Sequence, residues 1–264
     1  MPIRILCLHG QGTSASIFRK QTEHMRKMLP ADYQFYFFDG RHKCEADQEV
    51  LDFFLPPYWA WYSTPTTHSV LGAHGQVLSI IREHGEFDAV IGFSQGAAVA
   101  ASLLLHQELL GEEPVFKAAI FIGSPLPFSH RLDVGIDCST GTSYGIGDEP
   151  RNAYGRPTTI PPHLLTDPTK LDTPMQSQGS EDTCSEAAQY QMFHADVDGV
   201  RIQVPTGHIY GSEDKWFFHS QELVRLCRAD VSTVFQHMGG HEVPRAYTEE
   251  ICDVIEAVFS RIGE

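Results

Sequence analysis

Hydrophobic residues are concentrated in six short runs along the chain. The strongest runs are almost continuously apolar, which is typical of strands buried on both faces of a parallel sheet. The weaker runs are rich in aromatic and β-branched residues, which favour strands. We predict a strand at each run, and the runs are 3–8, 33–38, 87–91, 117–122, 207–211 and 232–237.

The segments between these runs carry helix signals. Ser14 or Ser16 precedes apolar residues that recur at helical spacing over 17–28, so either serine is a candidate N-cap. A second amphipathic segment covers 70–84 and ends at Gly85, a residue type that commonly closes helices. Strands that alternate with helices predict an α/β fold, in which a mostly parallel central sheet has helices on both faces. The remaining predicted helices follow residue 95 and cover 218–229 and 247–262.

The chain of 264 residues is 42% hydrophobic, which is enough for one large core and predicts a single domain over residues 1–264. Between Ser124 and about Gly199 the pattern disappears, and Pro, Gly, Ser, Thr and Asp become frequent. Because a structureless loop of this length is uncommon in a compact domain, we predict a lid-like insertion at about 125–200. A disordered excursion is the alternative. Within the insertion, 189–193 is predicted as a short helix.

One short motif falls directly between a predicted strand and a predicted helix. Residues 92–96 read Gly-Phe-Ser-Gln-Gly, after the run 87–91 and before an alanine-rich segment. A strand, a sharp turn and a helix around Gly-x-Ser-x-Gly are the sequence context of a nucleophile elbow. The glycines are needed because a side chain two residues before or after the serine would collide with a neighbouring strand or helix. We therefore predict Ser94 as a nucleophile, with an ordinary strand-to-helix turn as the alternative.

A serine hydroxyl is a poor nucleophile near neutral pH, so acyl transfer needs a base and an acid that orients the base. In α/β-hydrolases the acid follows a later strand, and the histidine follows the last strand. Asp214 comes after the strand predicted at 207–211, with Glu213 as its competitor, and simple helix capping is the alternative role. His241 follows two glycines beyond the last strand and is the predicted base. His237 still belongs to that strand and is the less favoured candidate.

The tetrahedral intermediate of acyl transfer carries an oxyanion, which needs two preorganised donors. We predict the backbone amides of Gln11 and Gln95 as this oxyanion hole. Gln95 follows the nucleophile at the start of a helix, where the helix dipole favours negative charge. Gln11 follows the first strand in the loop 9–12, and a plain glycine-loop role is its alternative.

Four segments of the chain carry a family resemblance. They read His-Gly at 9–10, Gly-Phe-Ser-Gln-Gly at 92–96, His-Ile-Tyr-Gly at 208–211 before Asp214, and Gly-Gly-His-Glu-Val-Pro at 239–244. Together they resemble the FSH-type serine hydrolases, a family of small α/β-hydrolases that is widespread in fungi. The resemblance covers nearly the whole chain. The elbow also resembles that of acyl-protein thioesterases, so the histidine loop and the 208–211 segment are the more specific signals.

The resemblance implies an α/β-hydrolase fold with Ser94, Asp214 and His241 as a catalytic triad. The long middle insertion is similar to that of members encoded with fungal polyketide synthases, of the lovastatin- and citrinin-pathway type. Those members act in trans. The resemblance thus implies hydrolysis of a thioester or ester of a polyketide-like acyl chain, either as a small molecule or on the acyl carrier domain of a synthase. A short-acyl carboxylesterase and a non-hydrolytic polyketide-binding or cyclising protein are the alternatives.

Charge and composition argue against several other classes. The formal net charge of −15 disfavours binding of nucleic acid, whose phosphates require clustered Lys and Arg. No apolar run approaches the length of a membrane span and the first residues lack a signal-peptide pattern, so a cytoplasmic protein without membrane contact is expected. The six cysteines are scattered, which predicts reduced thiols. No histidine spacing matches a metal site, and neither a metal nor another cofactor is expected.

An aromatic cluster follows the second predicted strand. We predict that Tyr58, Trp59 and Trp61 form a flat, apolar wall of the substrate pocket. Packing of these rings in the core beneath the lid is the alternative.

Docking of an acyl carrier domain, which is acidic, would need a local basic patch on this acidic chain. The first predicted helix carries Arg19, Lys20, Arg26 and Lys27, which form a candidate patch. A solvated helix face is the alternative.

Overall fold

The computed structural model describes residues 2–47, 50–51, 53–139, 153, 156–164 and 189–263. The strands within these ranges are β1 (Ile3–Leu8), β2 (Tyr33–Phe38), β3 (His42–Lys43), β4 (Trp59–Ala60), β5 (Ala89–Phe93), β6 (Ala118–Ile122), β7 (Phe128–Ser129), β8 (Ile136–Asp137), β9 (Gln191–Met192), β10 (Thr206–Gly211) and β11 (Ser232–His237). The α-helices are α1 (Ala15–Gln21), α2 (Glu23–Met28), α3 (Thr67–His84), α4 (Gln95–Leu110), α5 (Phe217–Arg225) and α6 (Thr248–Phe259).

Six strands form the central sheet, in the order β2-β1-β5-β6-β10-β11, and every neighbouring pair is parallel. These are the strands that the hydrophobic runs predict, and the predicted α/β fold is confirmed. The chain moves from β1 outward to β2 and then returns to β5 on the other side of β1. The carboxyl ends of β1 and β5 therefore flank the crevice in which open α/β sheets bind ligands.

The surroundings of β5 explain why its sequence is apolar throughout. Val90 packs in one core cluster with residues of α3 and α4, whereas Ile91 and Phe93 pack in a second cluster with residues of α1, α2 and α6. Every residue of this strand is buried. A strand that has helices on both sides has no solvent face, so its apolar positions do not alternate with polar ones. The two clusters also show that helices cover both faces of the sheet, as predicted.

The first predicted helix is divided into α1 and α2 at Thr22. Ser14, one of the two candidate N-caps, accepts a hydrogen bond from the backbone N–H of Ile17 at 3.2 Å. The Thr22 hydroxyl donates to the carbonyl of Phe18 at 2.8 Å. A threonine that bonds back to a carbonyl four residues earlier often bends a helix. The apolar spacing alone does not predict this interruption, because spacing reports which face is buried and not the side-chain bonds on it.

The described part of the predicted insertion forms a small antiparallel sheet in the order β7-β9-β8. The short helix predicted at 189–193 is wrong, because Gln191 and Met192 form β9 and pair with a strand on each side. This pairing overrides the local preference of the segment. β7 packs against α3 and α4. Most of the insertion, 140–152, 154–155 and 165–188, lies outside the described residues, so its role as a lid stays a prediction.

Candidate active site

Ser94 lies in a sharp turn between β5 and α4, with backbone angles φ of 52° and ψ of −121°. Among the described residues it is the only one other than glycine with a positive φ. A Cβ atom at Gly92 would lie 2.4 Å from Ala97 Cα, and one at Gly96 would lie 2.3 Å from the carbonyl oxygen of Leu8. Both glycines are therefore required by close backbone approach. The turn has the geometry of a nucleophile elbow, with the backbone strain at the serine itself.

A chain of two hydrogen bonds joins Ser94, His241 and Asp214. His241 Nε2 lies 2.9 Å from Ser94 Oγ, and His241 Nδ1 lies 3.0 Å from Asp214 Oδ2. The side chains of His241 and Asp214 are only 4% and 1% exposed. An aspartate at this position favours the tautomer with the proton on Nδ1, which leaves Nε2 free to accept the serine proton. The structure thus brings together the three residues that the sequence singles out.

Neighbouring groups hold this chain of hydrogen bonds in place. The ring of Phe93 stacks on the imidazole of His241, with 4.9 Å between the ring centres. The second oxygen of Asp214, Oδ1, accepts the backbone N–H of Trp216 at 2.8 Å. A Cβ atom at Gly123, just beyond β6, would lie 3.0 Å from both Asp214 Oδ2 and His241 Nδ1. Packing and hydrogen bonding therefore fix the acid and the base independently of the serine.

The competing candidates lie elsewhere. Glu213 is exposed, whereas Asp214 is buried against the histidine. His237 ends β11, and its Nδ1 accepts the backbone N–H of Gly239 at 3.1 Å while its ring packs near Tyr247. Burial lowers the pKa of His237. These contacts make His237 part of the loop that presents His241.

The predicted oxyanion residues lie on the two loops at the carboxyl ends of β1 and β5. Gln95 begins α4, so its backbone N–H is among the first donors of that helix, which have no acceptor within the helix. Its buried side chain accepts a hydrogen bond from the backbone N–H of Trp61 at 2.8 Å and donates one to the Tyr62 carbonyl at 2.9 Å. It also donates to Gln11 Oε1 at 3.2 Å. The side chains join the loops, which fits a role for the backbone amides as the oxyanion donors.

The structural role of His9 is not predicted from the sequence. Its Nδ1 donates to the Gly10 carbonyl at 2.7 Å, and its Nε2 accepts the backbone N–H of Gly40 at 2.9 Å. Burial lowers the pKa of His9, which keeps the ring neutral so that one nitrogen can accept. The ring thereby joins the loop that carries Gln11 to the end of β2. The available signal is a polar histidine directly after an apolar strand.

In the described part of the chain, a cleft lies beside each of two triad residues. The cleft that contains Ser94, here called the serine cleft, has a volume of about 830 Å³. Its lining combines polar and charged side chains with apolar surface, and the other lining residues are Gln11, Gly12, Lys43, Cys44, Glu45, Ala46, Asp47, Ser63, Lys215 and Trp216. The cleft that reaches His241, here called the histidine cleft, has a volume of about 710 Å³. It is more apolar, and its walls include Phe53, Phe54, Val243, Pro244 and the charged Glu242 and Arg245. None of these lining residues is predicted as a pocket residue from the sequence, because loop residues have no periodicity.

The predicted aromatic wall is wrong for Trp61. This side chain has no exposed surface, and its Nε1–H donates to the carbonyl of His9 at 2.9 Å. Tyr58 and Trp59 are half-buried and line neither cleft. The Tyr58 hydroxyl donates to the carbonyl of Phe54 at 2.7 Å, and Trp59 belongs to β4. These rings therefore pack the loops beneath the site. Burial of Trp61 is possible because its indole N–H finds an acceptor just beyond the end of β1.

Other chemistry has little support in the part of the chain that the structure describes. There, no group of three or more His, Cys, Asp or Glu side chains is arranged to hold a metal ion. The five described cysteines are free thiols. Burial raises the pKa of Cys138 and of Cys227 to about 12, which disfavours reactive thiolates. No described helix combines the length and the apolar content that crossing a membrane requires.

Known proteins share both the fold and the reaction class. The chain is 28% identical to Hydrolase FUB4 of Fusarium oxysporum f. sp. lycopersici, over 98% of each chain. It is 31% identical to Esterase tropF of Talaromyces stipitatus, over 91% of this chain and 76% of that protein. A solved carboxylesterase from Mesorhizobium loti is only 12% identical and shows the fold alone, with a TM-score of 0.53 over 97% of this chain and 88% of that one.

The sequence also matches a family model over most of its length. The model is described as Serine hydrolase (FSH1), and it matches residues 1–250. This range contains the elbow, the acid and the histidine loop described above. The chain therefore belongs to the serine hydrolase (FSH1) family, and it is a serine hydrolase with an α/β-hydrolase fold.

Proposed function

We propose that the enzyme cleaves an acyl thioester or ester through a covalent acyl intermediate on Ser94. The observation that carries this proposal is the contact of His241 with both Ser94 Oγ and Asp214 Oδ2, at 2.9 and 3.0 Å. These distances lie within the range over which a base takes a proton from a nucleophile. The clefts beside Ser94 and His241 give a substrate access to both groups.

In the first half-reaction, Ser94 Oγ forms a bond to the acyl carbon while His241 Nε2 takes the serine proton. The electron pair of the carbonyl moves to oxygen, and the backbone amides of Gln11 and Gln95 stabilise the oxyanion. Asp214 stabilises the resulting imidazolium and keeps its orientation without being protonated. The carbonyl re-forms as the thiol or alcohol departs, and the leaving atom receives the proton from His241.

In the second half-reaction, water replaces the departed thiol or alcohol. His241 takes a proton from the water as its oxygen bonds to the acyl carbon, and the same amides hold the second oxyanion. Collapse of this intermediate releases the acid and returns the proton to Ser94 Oγ. No metal or redox cofactor takes part in this scheme.

The proposed acyl group is polyketide-like, and the proposed setting is in trans to a polyketide synthase. Support comes from the sequence resemblance to polyketide-pathway members of the family. The serine cleft combines apolar surface with polar groups such as Gln11, Ser63 and Lys215, which suit the carbons and the oxygens of such a chain. A short-acyl carboxylesterase is the second candidate. The name of one relative, Esterase tropF, favours this candidate.

Docking of an acyl carrier domain at α1 and α2 is part of the same proposal. Lys20 and Lys27 both pair with Glu23, so Arg19 and Arg26 would supply most of the free positive charge. Both arginines lie over the ring of Phe37; Arg19 is exposed and Arg26 is half-buried. Free cysteines support a reducing compartment such as the cytoplasm.

A fluorophosphonate probe tests the chemistry directly. The wild type should be labelled once, and Ser94→Ala should not be labelled, because the probe reacts with an activated serine. An unlabelled wild type would favour a protein that binds or cyclises a polyketide without hydrolysis.

The substrate class needs matched compounds. We expect kcat/KM to be higher for a 3-oxoacyl thioester than for an alkanoyl oxygen ester of the same length, and intact mass should show an acyl adduct on Ser94 with a carrier-bound substrate. A preference for short alkanoyl oxygen esters would support the carboxylesterase instead.

A further inference from the structure

The serine cleft and the histidine cleft are lined by different residues of the triad, Ser94 and His241 respectively. Residues 43–47 line the serine cleft together with Ser94 and Gln11, whereas Phe53 and Phe54 line the histidine cleft together with His241. One loop thus contributes its first part to one cleft and its later part to the other. A substrate that spans the triad would place one of its two halves in each cleft.

The chemistry of acyl transfer decides which half enters which cleft. The carbonyl oxygen must face the amides of Gln11 and Gln95, and Gln11 lines the serine cleft. The leaving atom must come within hydrogen-bond reach of His241 Nε2, because the histidine returns the proton to that atom. The acyl half therefore belongs to the serine cleft, and the leaving thiol or alcohol belongs to the histidine cleft. This assignment rests on the function proposed above.

The histidine cleft has apolar walls and one cation. Phe53, which is 79% exposed, and Phe54 form an aromatic side, and Val243 and Pro244 face the same space. Arg245 is exposed and lines the cleft. Phe54 is half-buried, whereas the phenyl ring of Phe53 stands open to solvent, and covering it with a ligand is favourable.

Arg245 has no acidic partner among the described residues, and it lies in the wall of a cleft that a triad residue also lines. Arg225 and Arg228 each pair with a carboxylate, whereas no described carboxylate pairs with Arg245. Glu242 also lines the cleft, but its Oε1 lies against Gly239, where a Cβ atom would be only 2.5 Å away. The guanidinium is therefore left as a free cation at an apolar wall, where an anion is held more strongly than in open water.

We propose that Arg245 recognises an anionic group, a phosphate or a carboxylate, on the leaving thiol or alcohol. The apolar walls of the histidine cleft cover the chain between that anion and the departing atom. The anion takes no part in the bond changes: the acyl carbon exchanges the leaving atom for Ser94 Oγ, and the leaving atom receives the serine proton through His241. Arg245 is thus a specificity residue for the leaving half of the substrate.

Matched thioesters test this assignment. One pair carries the same butyryl group on 4′-phosphopantetheine and on pantetheine, and a second pair carries it on 3-mercaptopropionate and on its neutral amide. Wild type should prefer the anionic member of at least one pair by about tenfold in kcat/KM, since a charge-assisted pair commonly contributes this much. The pair that shows the larger preference identifies phosphate or carboxylate as the anion.

Three variants separate recognition from general effects. Arg245→Gln should abolish the preference, and Arg245→Lys should keep part of it, because the charge remains but the bidentate geometry is lost. Arg82→Gln, a change at an exposed arginine in the last turn of α3, should keep the full preference. The preference should also fall as salt is added.

Equal kcat/KM within both pairs in the wild type would overturn the assignment, and so would a full preference in Arg245→Gln. Failure of the function itself has a different signature. In that case neither the thioesters nor an uncharged butyryl ester would be hydrolysed in a Ser94-dependent way.

Discussion

At the scale of single residues, two adjacent carboxylates have opposite surroundings. Glu213 is exposed, and its backbone N–H bonds to the Gly239 carbonyl at 3.1 Å. Asp214 is buried and places one oxygen on His241 and the other on the N–H of Trp216. The sequence favours Asp214 but leaves both open, because a register error of one residue exchanges them. The tight loop between β10 and α5 determines which side chain faces the histidine.

Replacement of the acid should act on the chemical step. We expect Asp214→Asn to lower kcat by about 10³- to 10⁴-fold, because an amide can bond to His241 in a way that favours the wrong tautomer. Steady-state hydrolysis of a butyryl ester measures the loss. Glu213→Gln is the matched control and should change kcat less than about twofold, since an exposed side chain outside the relay stabilises no charge in it. Comparable losses in the two variants would contradict the assignment of the acid.

At the scale of elements, the sequence predicts well the strands and helices that depend on local residues. It does not predict the pairings and contacts that depend on distant parts of the chain. β11 covers the predicted 232–237, and α3 ends at Gly85, because a buried run and a closing glycine are properties of the segment itself. β9 is mispredicted because its pairing partners, β7 and β8, lie more than fifty residues earlier in the chain. The indole N–H of Trp61 likewise donates to the carbonyl of His9, just beyond the end of β1, and no pattern around residue 61 predicts this contact.

Replacement of two helical glycines by alanine should change the free energy of unfolding in opposite directions. At Gly96 in α4 a Cβ atom would lie 2.3 Å from the Leu8 carbonyl oxygen, so Gly96→Ala should lower the free energy of unfolding by about 2–3 kcal/mol. At Gly72 in α3 no atom lies within 4 Å of such a Cβ, so Gly72→Ala should raise it by about 0.5–1 kcal/mol. Urea denaturation measures both values. A destabilised Gly72→Ala with an unaffected Gly96→Ala would refute the close approach of α4 to β1.

At the scale of the whole molecule, the residues of the triad can be predicted from the sequence, whereas the residues that line the clefts cannot. The glycine-flanked Ser94 and the loop around His241 carry recognisable motifs, because the elbow and the histidine loop need particular backbone conformations. Arg245 and Phe54 line one cleft and Trp216 lines the other, and each cleft forms only where separate parts of the chain meet. Their positions depend on tertiary packing, which leaves no periodic trace along the chain.

The fold also buries several histidines, and burial favours their neutral form. Burial lowers the pKa of His74 and of His208 to about 3, and that of His219 to about 4. Burial, reinforced by the neighbouring His130, lowers the pKa of His106 to about 2. His74 and His106 lie between α3, α4 and β7, so they are part of the packing that anchors the insertion.

These histidines should make the protein sensitive to acid. Their folded pKa values lie below the ordinary value of 6.5, so the unfolded chain binds more protons and low pH favours it. The stabilisation is complete above pH 6.5 and, for His74 and His208, is lost as the pH falls to about 3, by about 1.4 kcal/mol per pH unit for each histidine. Urea denaturation at several pH values measures this slope. His208→Gln should reduce the slope by about one proton, whereas the exposed His68→Gln should not, and equal slopes in all three proteins would show that burial of His208 does not control its protonation.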